Sequence, residues 1–393
     1  MPVLNRVAEY VEELVAWRRD LHAHPELAYE ERRTAAFVAE RLRSFGVDEV
    51  HTGIGGTGVV GVLRAGSGRG SIALRADMDA LPIQEETGVA WASRNAGKMH
   101  ACGHDGHTTM LLGAARYLAE TRRFDGTVYL IFQPAEEGLS GARAMLEDGL
   151  FERFPADRVF GMHNWPWLEP GVFAVHDGAA MAASDEFRIR LEGRGCHAAM
   201  PHLGRDPIIA GCALVQALQS LVARETDPLE ALVLSVTCFH AGDAYNVVPQ
   251  TAELVGTVRT FRADLRDRAE ARLREIARGV GASFGLAIEV DYRRGYPATV
   301  NTSGEAERCA AVAAEIAGEE AVRRDERPSM GSEDFAFMLE RRPGAYVWLG
   351  QGGAAEGRIL HSPFYDFNDE ILPHGVSYWA RLVERLLPAA GAD

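Results

Sequence analysis

Positive charge is scarce in this sequence, and long apolar runs are missing from it. Lysine and arginine number 41 against 56 aspartate and glutamate residues, which gives a formal net charge of −15. The resulting pI is near 5.4. This balance argues against nucleic acid or an anionic membrane surface as a partner. No apolar run reaches about eighteen residues, so the sequence predicts no transmembrane span.

The five cysteines are scattered and odd in number, so they do not form a disulfide framework. The N-terminal segment has an amphipathic pattern without an apolar signal core. Together these features predict a cytoplasmic protein. The chain also lacks the Gly-x-Ser-x-Gly pattern that carries the nucleophile of many serine hydrolases. Internal repeats and low-complexity tracts are absent as well.

The pattern of apolar residues predicts two domains, as the length of 393 residues also suggests. In the first half, short β-branched runs alternate with helical stretches, which is typical of an α/β domain with a mostly parallel sheet flanked by helices. Residues 184–294 instead follow a β-α-β-β-α-β order with alternating polarity, typical of a ferredoxin-like sheet. We therefore predict a discontinuous catalytic domain (residues 1–183 and 295–393) and an inserted domain (residues 184–294).

Four segments carry side chains that bind transition metals, and three of them follow a predicted strand. The first is HACGHDGH (100–107), where Cys102 and His104 lie beside Asp105 and His107. Thiolate plus imidazole suits zinc or another borderline transition ion. Taken alone, this segment could equally be a buried thiol near surface histidines. The other three segments contain Glu136 with Glu137, His163, and His361.

Two of these residues, Glu136 and Glu137, are adjacent carboxylates directly after a predicted strand. One of the pair could ligate a metal while the other takes a proton from water. An exposed acidic turn would explain the pair alone, and a structural role would explain a lone histidine. In an α/β sheet, however, ligand groups gather beyond the carboxyl ends of strands. All four segments fall in the predicted catalytic domain, and together they indicate a metal site.

The ordered motifs extend this set along nearly the whole chain. They are RADMDALP, MHACGHDGH, QPAEEG, HNWP, GxxxHAAxPH, NVVP, GTVRTF, GSEDF and LHxPxYDFND. This series resembles the dinuclear metallohydrolases of the aminoacylase and carboxypeptidase superfamily. More narrowly, it resembles their branch of hippurate hydrolases and auxin-conjugate (N-acyl-L-amino acid) hydrolases. The resemblance implies a catalytic domain with a smaller lid or dimerisation domain.

The resemblance implies a role for each motif residue of the catalytic domain. Two divalent ions (zinc, manganese, cobalt or nickel) are expected to bind five residues: Cys102, His104, Glu137, His163 and His361. Glu136 is expected to be the general base. Asp77 and Asp105 are expected to orient the ligands through hydrogen bonds. Many relatives carry a metal-binding histidine where this chain has Arg75, so Cys102 and His104 replace an older arrangement.

The resemblance also implies roles for residues outside the metal segments. His197 is expected to stabilise the oxyanion, often in the active site of a neighbouring subunit. Asn246 and Arg259 are expected to bind the substrate carbonyl and carboxylate, although Asn246 could cap a turn and Arg259 could pair with a carboxylate of its own domain. Gly331 and Ser332 are expected to line the substrate pocket, although Ser332 could simply cap a helix.

The reaction implied is metal-dependent hydrolysis of the amide bond of N-acyl-L-amino acids, with a small-molecule substrate and a homodimer or dimer-based homo-oligomer. Trp165, Trp167, Met181 and Phe335 could form an apolar wall for an aromatic acyl group, or could be core packing. A dipeptidase or an N-acetyl-diaminopimelate deacetylase remains an alternative within the class. From other classes, a catalytically inactive metal-binding protein and an interaction module that uses the inserted sheet remain open.

Overall fold

The computed structural model describes residues 4–389, and the chain folds into two compact units. The first unit extends up to Ala180 and includes Val300–Arg327 and the chain from Asp334 onward. The second unit consists of Met181–Thr299 and Pro328–Glu333. The predicted inserted segment, residues 184–294, therefore lies inside the second unit, which also takes in a short segment from later in the chain.

The strands are, in chain order, β1 (Glu49–Ile54), β2 (Gly58–Ala65), β3 (Ser71–Asp77), β4 (Gly126–Gln133), β5 (Arg158–Trp165), β6 (Phe173–Ala174), β7 (Ala179–Met181), β8 (Ala183–Glu192), β9 (Cys196–His197), β10 (Leu232–Ala241), β11 (Val247–Val248), β12 (Thr251–Thr260), β13 (Ala287–Arg294), β14 (Thr299–Val300), β15 (Val322–Arg323) and β16 (Gly344–Gly350).

The α-helices are, in chain order, α1 (Asn5–Ala8), α2 (Val11–Ala23), α3 (Arg32–Ser44), α4 (His104–Thr121), α5 (Glu136–Leu139), α6 (Gly141–Glu147), α7 (Leu150–Arg153), α8 (Pro207–Ser220), α9 (Ala263–Phe284), α10 (Ser303–Ala317), α11 (Ala336–Leu339) and α12 (Leu372–Leu386). Short 3-10 turns lie at Pro201–Leu203, Glu319–Ala321 and Asp369–Ile371, and a π-helical turn spans Leu221–Glu225.

The sheet of the first unit has the strand order β1-β2-β4-β3-β5-β16-β6-β15. Its centre, from β4 through β3 and β5 to β16, is parallel throughout. The strand β2 is antiparallel to both of its neighbours, and β6 is antiparallel to β16. Every residue of β3 is buried, as expected for a parallel strand that is covered on both faces. The predicted α/β fold with a mostly parallel sheet is confirmed.

The helix α4 packs on β3 and is covered in turn by α2 and α12. Gly113, in the middle of α4, allows α12 to approach closely. A Cβ at this position would lie 2.6 Å from Cγ2 of Val376 on α12. The sheet and this helix layer thus bury the start of α4 in the interior. As a consequence, the residues just before and at the beginning of α4 are held rigidly next to the ends of the parallel strands.

The second unit contains a separate antiparallel sheet with the order β10-β12-β8-β13. Buried and exposed residues alternate along β8 from Asp185 to Glu192, so one face of the sheet carries the core. The helices α8 and α9 pack against this sheet and complete the predicted β-α-β-β-α-β order. Helix and π-turn together, Pro207–Glu225, are long and apolar enough to cross a membrane by length and composition. Leu214 and Leu218 of this stretch are buried in the core of the unit, and 33% of the whole stretch is buried.

One helix differs from its sequence pattern. Residues 141–154 read as a single helical stretch, but the structure divides them into α6 and α7. The break lies at Gly149, whose φ of 79° is in the left-handed region that glycine adopts without cost.

Candidate metal centre and active site

The parallel centre of the first sheet brings three of the predicted metal segments to one edge. The strand β3 ends at Asp77, β4 is followed by Glu136 and Glu137, and β5 carries His163 near its end. Because β4, β3 and β5 are parallel neighbours, their carboxyl ends meet at the same edge of the sheet. The start of α4 adds His104 to this group.

Cys102 and His104 are separated by a glycine that the geometry requires. Gly103 has a φ of 100°, and a Cβ on it would lie 2.1 Å from Oδ1 of Asn164. The left-handed turn places the thiol of Cys102 and the ring of His104 beside the same cluster. His361 arrives from a late loop and has a φ of 63°. Its backbone N–H donates to the carbonyl oxygen of Ala101 at 2.8 Å, which ties this loop to the residue before Cys102.

The five predicted metal ligands lie together in two overlapping groups. Cys102, His104 and His163 form one group, and Cys102, Glu137 and His361 form the other, with ligand atoms within 4.8 Å of one another. Sγ of Cys102 is 3.4 Å from Nε2 of His163. Nε2 of His361 is 3.3 Å from Oε1 of Glu137. Cys102 thus belongs to both groups.

Within residues 4–389, two buried ligand atoms in this cluster make no hydrogen bond, Nε2 of His104 and Oε1 of Glu137, although the latter lies within ion-pair distance of His361. Leaving buried polar atoms without a hydrogen bond is costly, so an occupant is expected between them. Burial disfavours the protonated ring, but the carboxylates of Asp77 and Asp79 outweigh it and raise the pKa of His104 to about 10. The cluster therefore attracts positive charge. Its donor set of thiol, imidazole and carboxylate fits divalent transition ions such as zinc, and it does not suit magnesium or calcium.

The remaining ring nitrogens of the histidine ligands are fixed by neighbouring oxygens. Nδ1 of His104 donates to the backbone carbonyl of Asp79 at 2.8 Å, and Nδ1 of His163 donates to that of Asn164 at 2.6 Å. Each bond leaves Nε2 directed at the cluster as the available ligand atom. The Asp79 carboxylate also accepts the backbone N–H of Glu137 at 2.9 Å. Asp79 thus accepts hydrogen bonds from two of the predicted ligands, His104 and Glu137. The sequence signal for this role is its position as the second aspartate of the RADMD motif.

Asp77 makes its close contacts with other partners than the predicted ligands. Its Oδ1 is 2.6 Å from Nδ1 of His107, and its Oδ2 accepts from Arg75 at 2.7 Å. The other ring nitrogen of His107 lies 2.7 Å from Oδ1 of Asn164. Both ring nitrogens of His107 thus contact groups other than the five predicted ligands. Nε2 of His104 is 3.8 Å from Asp77, which therefore acts on it by charge.

Arg75 places a buried positive charge beside the cluster. Its guanidinium donates to Gln133 at 2.7 Å and to Asp334 at 3.1 Å, in addition to Asp77. The backbone N–H of Asp334 in turn donates to Oε1 of Glu136 at 3.3 Å. The predicted base is buried at 6% exposure and lies in one group with His104 and Glu137. The motif GSEDF contains Asp334, but its link to Glu136 depends on a contact between positions 198 residues apart.

The predicted orienting residue Asp105 lies on the far side of the first turn of α4. Its Oδ2 is 2.8 Å from Nδ1 of His22 and 3.8 Å from the guanidinium of Arg18. Nε2 of His22 is 3.4 Å from Glu85. Burial disfavours the charged ring, but hydrogen bonds to the two carboxylates outweigh it and raise the pKa of His22 to about 9. The pair holds α2 against α4 and stabilises the position of the ligand segment.

The second unit holds His197 and Asn246 next to each other. The strand β9 carries His197 and pairs with β11, and the carbonyl of Asn246 accepts the N–H of Ala198 at 3.0 Å. Nδ1 of His197 accepts the backbone N–H of Ala199 at 3.1 Å. In the neutral ring, the proton is therefore on Nε2, which makes this exposed atom a hydrogen-bond donor.

Arg259 lies in the second unit together with both loop residues predicted to line the pocket. Its Nη1 donates to Oγ of Ser332 at 3.2 Å, and its Nε donates to Thr257 at 3.2 Å. The carbonyl of Gly331 accepts the N–H of Ala182 at 2.9 Å. Among residues 4–389, no carboxylate forms an ion pair with Arg259, and burial lowers its pKa. The guanidinium thus keeps capacity for a carboxylate from outside the chain.

A family model for "Peptidase family M20/M25/M40" matches residues 73–385. The chain belongs to this family. The family predicted from the ordered motifs is thereby confirmed. The matched range covers the whole cluster, from the strand that carries Arg75 to the loop that carries His361.

Similar proteins of this family span the full chain. The hippurate hydrolase of Campylobacter jejuni is 42% identical over 98% of this chain and 100% of its own length. An IAA-amino acid hydrolase (ILR1-like 2) of Arabidopsis thaliana is 40% identical over 95% of this chain and 85% of its own length. The solved structure of the Bacillus subtilis YXEP protein, described as a dinuclear metal-binding peptidase of the M20 family, is 35% identical. It covers 97% of this chain and 99% of its own, with a TM-score of 0.84.

His22→Gln is expected to lower the free energy of unfolding by about 3 kcal/mol near neutral pH, because Asp105 loses its buried partner. The pKa of His22 is raised, so its contribution is complete below about pH 6.5. That contribution disappears as the pH rises through about 9. Urea unfolding of the variant and the wild type, measured across this range, should therefore give a difference that shrinks with rising pH.

His24→Gln is the control, because that ring is partly exposed and bonds to a carbonyl of its own helix. A difference for His22→Gln that stays constant or grows with rising pH would contradict the proposed ion pair.

Proposed function

We propose that this chain is a metal-dependent amidohydrolase that cleaves the amide bond of N-acyl-L-amino acids and releases a carboxylic acid and a free amino acid. One observation carries the proposal. A buried carboxylate, Glu136, shares a cluster with His104 and Glu137, although ligation of the ions needs only Glu137. The activities of full-length relatives, which act on hippurate and on IAA-amino acids by name, support the same reaction class.

Five residues are proposed to hold two divalent ions (zinc, manganese, cobalt or nickel): Cys102, His104, Glu137, His163 and His361. When bound, such ions polarise a carbonyl oxygen and lower the pKa of water toward neutrality. The buried ligand atoms of His104 and Glu137 that make no hydrogen bond among the described residues support this assignment. The hydrogen bonds from His104 to Asp79 and from His163 to Asn164 would leave Nε2 of each ring free to hold an ion.

Glu136 is proposed to act as general base and then as general acid. Its carboxylate takes a proton from water while the water oxygen forms a bond to the amide carbon. When the carbon–nitrogen bond breaks, Glu136 returns this proton to the leaving nitrogen. The hydrogen bond from the backbone of Asp334 orients the carboxylate for both transfers. No covalent intermediate with the protein is required.

His197 is proposed to stabilise the oxyanion that forms on the amide carbon. Its exposed Nε2 is the protonated nitrogen of the neutral ring, because Nδ1 already accepts the N–H of Ala199. Asn246 lies on the adjoining strand segment, and among the described residues its exposed side chain makes no hydrogen bond, so its amide remains available for the substrate carbonyl.

Arg259 is proposed to bind the substrate carboxylate. A guanidinium matches a carboxylate with two parallel hydrogen bonds, and this one has no ion-pair partner among the described residues. Gly331 and Ser332 are proposed to line the site of this carboxylate, since Ser332 contacts Arg259. In the alternative, Arg259 forms an ion pair with a carboxylate of its own unit. Among residues 4–389, no contact supports this alternative.

We propose that the protein prefers substrates with an aromatic acyl group and that this group contacts Trp167. Trp165 is buried, stacks on Trp348 at 3.9 Å, and lies 6.3 Å from the ring of His163. Trp167 rests on Trp165 with ring centroids 5.1 Å apart and is 54% exposed. Phe335 is fully buried, so it belongs to the core. A benzoyl or indole-acetyl group could therefore lie against Trp167, close to the metal cluster.

A homodimer formed through the second unit is also proposed, and the cytoplasm stays the expected compartment. The strand β10 is an edge strand of its sheet, and its exposed residues include Phe239. Further exposed apolar residues are Met200 and Leu203, which precede α8, and Ile209 in its first turn. An unpaired strand edge with apolar surface favours association with a second copy.

Glu136→Gln is expected to lower kcat by at least about 100-fold, because it removes the proton acceptor without removing a ligand. The substrates are N-benzoyl, N-acetyl and indole-acetyl amino acids, tested after chelation and reconstitution with zinc, manganese, cobalt or nickel. Bound metal should stay at the wild-type stoichiometry. Glu152→Gln is the matched control, since Glu152 is exposed on α7.

Metal binding without hydrolysis of any amide by the wild type would favour the inactive metal-binding alternative. Preference for acetylated diamino acids over all benzoyl substrates would favour the deacetylase, and turnover of dipeptides alone would favour a dipeptidase.

Arg259→Lys is expected to raise KM by about tenfold or more for hippurate-like substrates, because lysine cannot form the bidentate carboxylate contact. When the carboxylate of the same substrate is replaced by a neutral amide, Arg259→Lys and the wild type should have similar KM values. Arg188→Lys, on an exposed position of the same sheet, is the control. An equal effect on charged and neutral substrates would contradict carboxylate binding.

Light scattering at micromolar concentration is expected to give the mass of two chains. Phe239→Lys, which places a charge on the exposed edge strand, should shift the protein toward the monomer. A wild type that is monomeric at this concentration would contradict the proposed dimer.

A further inference from the structure

The loop that carries Glu136 has an unfavourable backbone conformation at each end. Ala135 has a φ of 54° and Ser140 a φ of 59°, both in the left-handed region, and neither is a glycine. The loop closes on itself, since Gly141 donates its N–H to the carbonyl of Ala135 at 3.0 Å. A Cβ on Gly141 would lie 1.7 Å from the carbonyl oxygen of Pro134. Something outside the loop must hold this shape in place.

Glu31 contacts the loop directly before the proposed base. Its Oε1 accepts the backbone N–H of Ala135 at 2.9 Å, and its Oε2 accepts the hydroxyl of Thr57 at 2.5 Å. The side chain is fully buried. Within residues 4–389, no arginine, lysine or histidine forms an ion pair with it. A buried carboxylate without a cation is costly, so its two hydrogen bonds must serve the structure around it.

The segment that contains Glu31, residues 26–31, also contacts the other end of the loop. The hydroxyl of Tyr29 donates to the carbonyl of Leu139 at 3.0 Å. The segment itself is anchored beside the metal cluster, because the N–H of Ala80 donates to the carbonyl of Glu26 at 2.8 Å. Residues 26–31 thus connect the segment after β3 with both ends of the loop that carries Glu136.

We propose that Glu31 is a positioning residue for the hydrolysis, which holds Ala135 in its left-handed conformation and thereby directs the carboxylate of Glu136. This inference rests on the proposed role of Glu136 as general base. Among the described residues, Glu31 makes no hydrogen bond to a proposed metal ligand; it acts through the backbone N–H of Ala135. Loss of this contact changes the direction of the base and leaves the ligand set intact.

Steady-state kinetics of the metal-loaded protein test the proposal. Glu31→Ala is expected to lower kcat about tenfold or more while KM stays within about twofold, because the proton transfer loses its geometry and substrate binding does not. Glu31→Gln keeps an acceptor for Ala135 and should retain most of kcat. Glu30→Ala, an exposed neighbour that pairs with Lys98, is the matched control and should behave like the wild type. An unchanged kcat in Glu31→Ala would overturn the proposal.

A second substitution separates positioning from general support of the fold. Glycine adopts the left-handed conformation without steric cost, so adding Ala135→Gly to Glu31→Ala should restore part of the lost kcat. Restoration is the expected result. A double variant that is no more active than Glu31→Ala would show that the carboxylate does not act through Ala135, and the proposal would be wrong.

Amide hydrogen exchange over residues 130–142 gives a readout that does not depend on turnover. Glu31→Ala should exchange faster there with unchanged metal content, and Thr57→Val provides a milder variant if Glu31→Ala does not fold. If the wild type hydrolyses no amide, the proposed function fails on its own. Unchanged exchange in these peptides would instead remove the basis for the role of Glu31, whatever the reaction.

Discussion

Buried carboxylates are costly unless hydrogen bonds or positive charge compensate them. Arg75 compensates Asp77 and Asp334, and Arg18 with His22 compensates Asp105. Around Glu137 and Asp79, no lysine or arginine forms an ion pair within the described residues. The missing charge is then supplied by a proton on His104 or by bound cations. This imbalance links the fold to the proposed metal centre.

The parallel strands explain why this imbalance lies where chemistry can use it. The carboxyl ends of β4, β3 and β5 meet at one edge; the loop after β4 carries two carboxylates there, and the end of β5 carries an imidazole. A glycine turn between Cys102 and His104 adds a thiol and a second imidazole. The conformations of the loops, including left-handed residues at Ala135 and His361, then set the direction of each group.

Much of this arrangement could be predicted from the sequence, because strand ends and residue types are local features. The convergence of Glu137, His163 and His104 follows from strand order and chemistry. The partners of these residues do not, since they depend on contacts across the chain. His107 stands beside His104 in sequence but is occupied by Asp77 and Asn164. Glu31 reaches Ala135 across 104 positions, and no glycine marks the left-handed turn there.

Anomalous diffraction from crystals of the protein loaded with zinc or manganese tests the central claim most directly. The account predicts two peaks that share Cys102, each about 2.0–2.3 Å from its ligand atoms. His104 and His163 should bind one ion, Glu137 and His361 the other, with Glu136 beside them and not ligating. A single peak, a peak elsewhere, or Glu136 bound to an ion in place of Glu137 would contradict it.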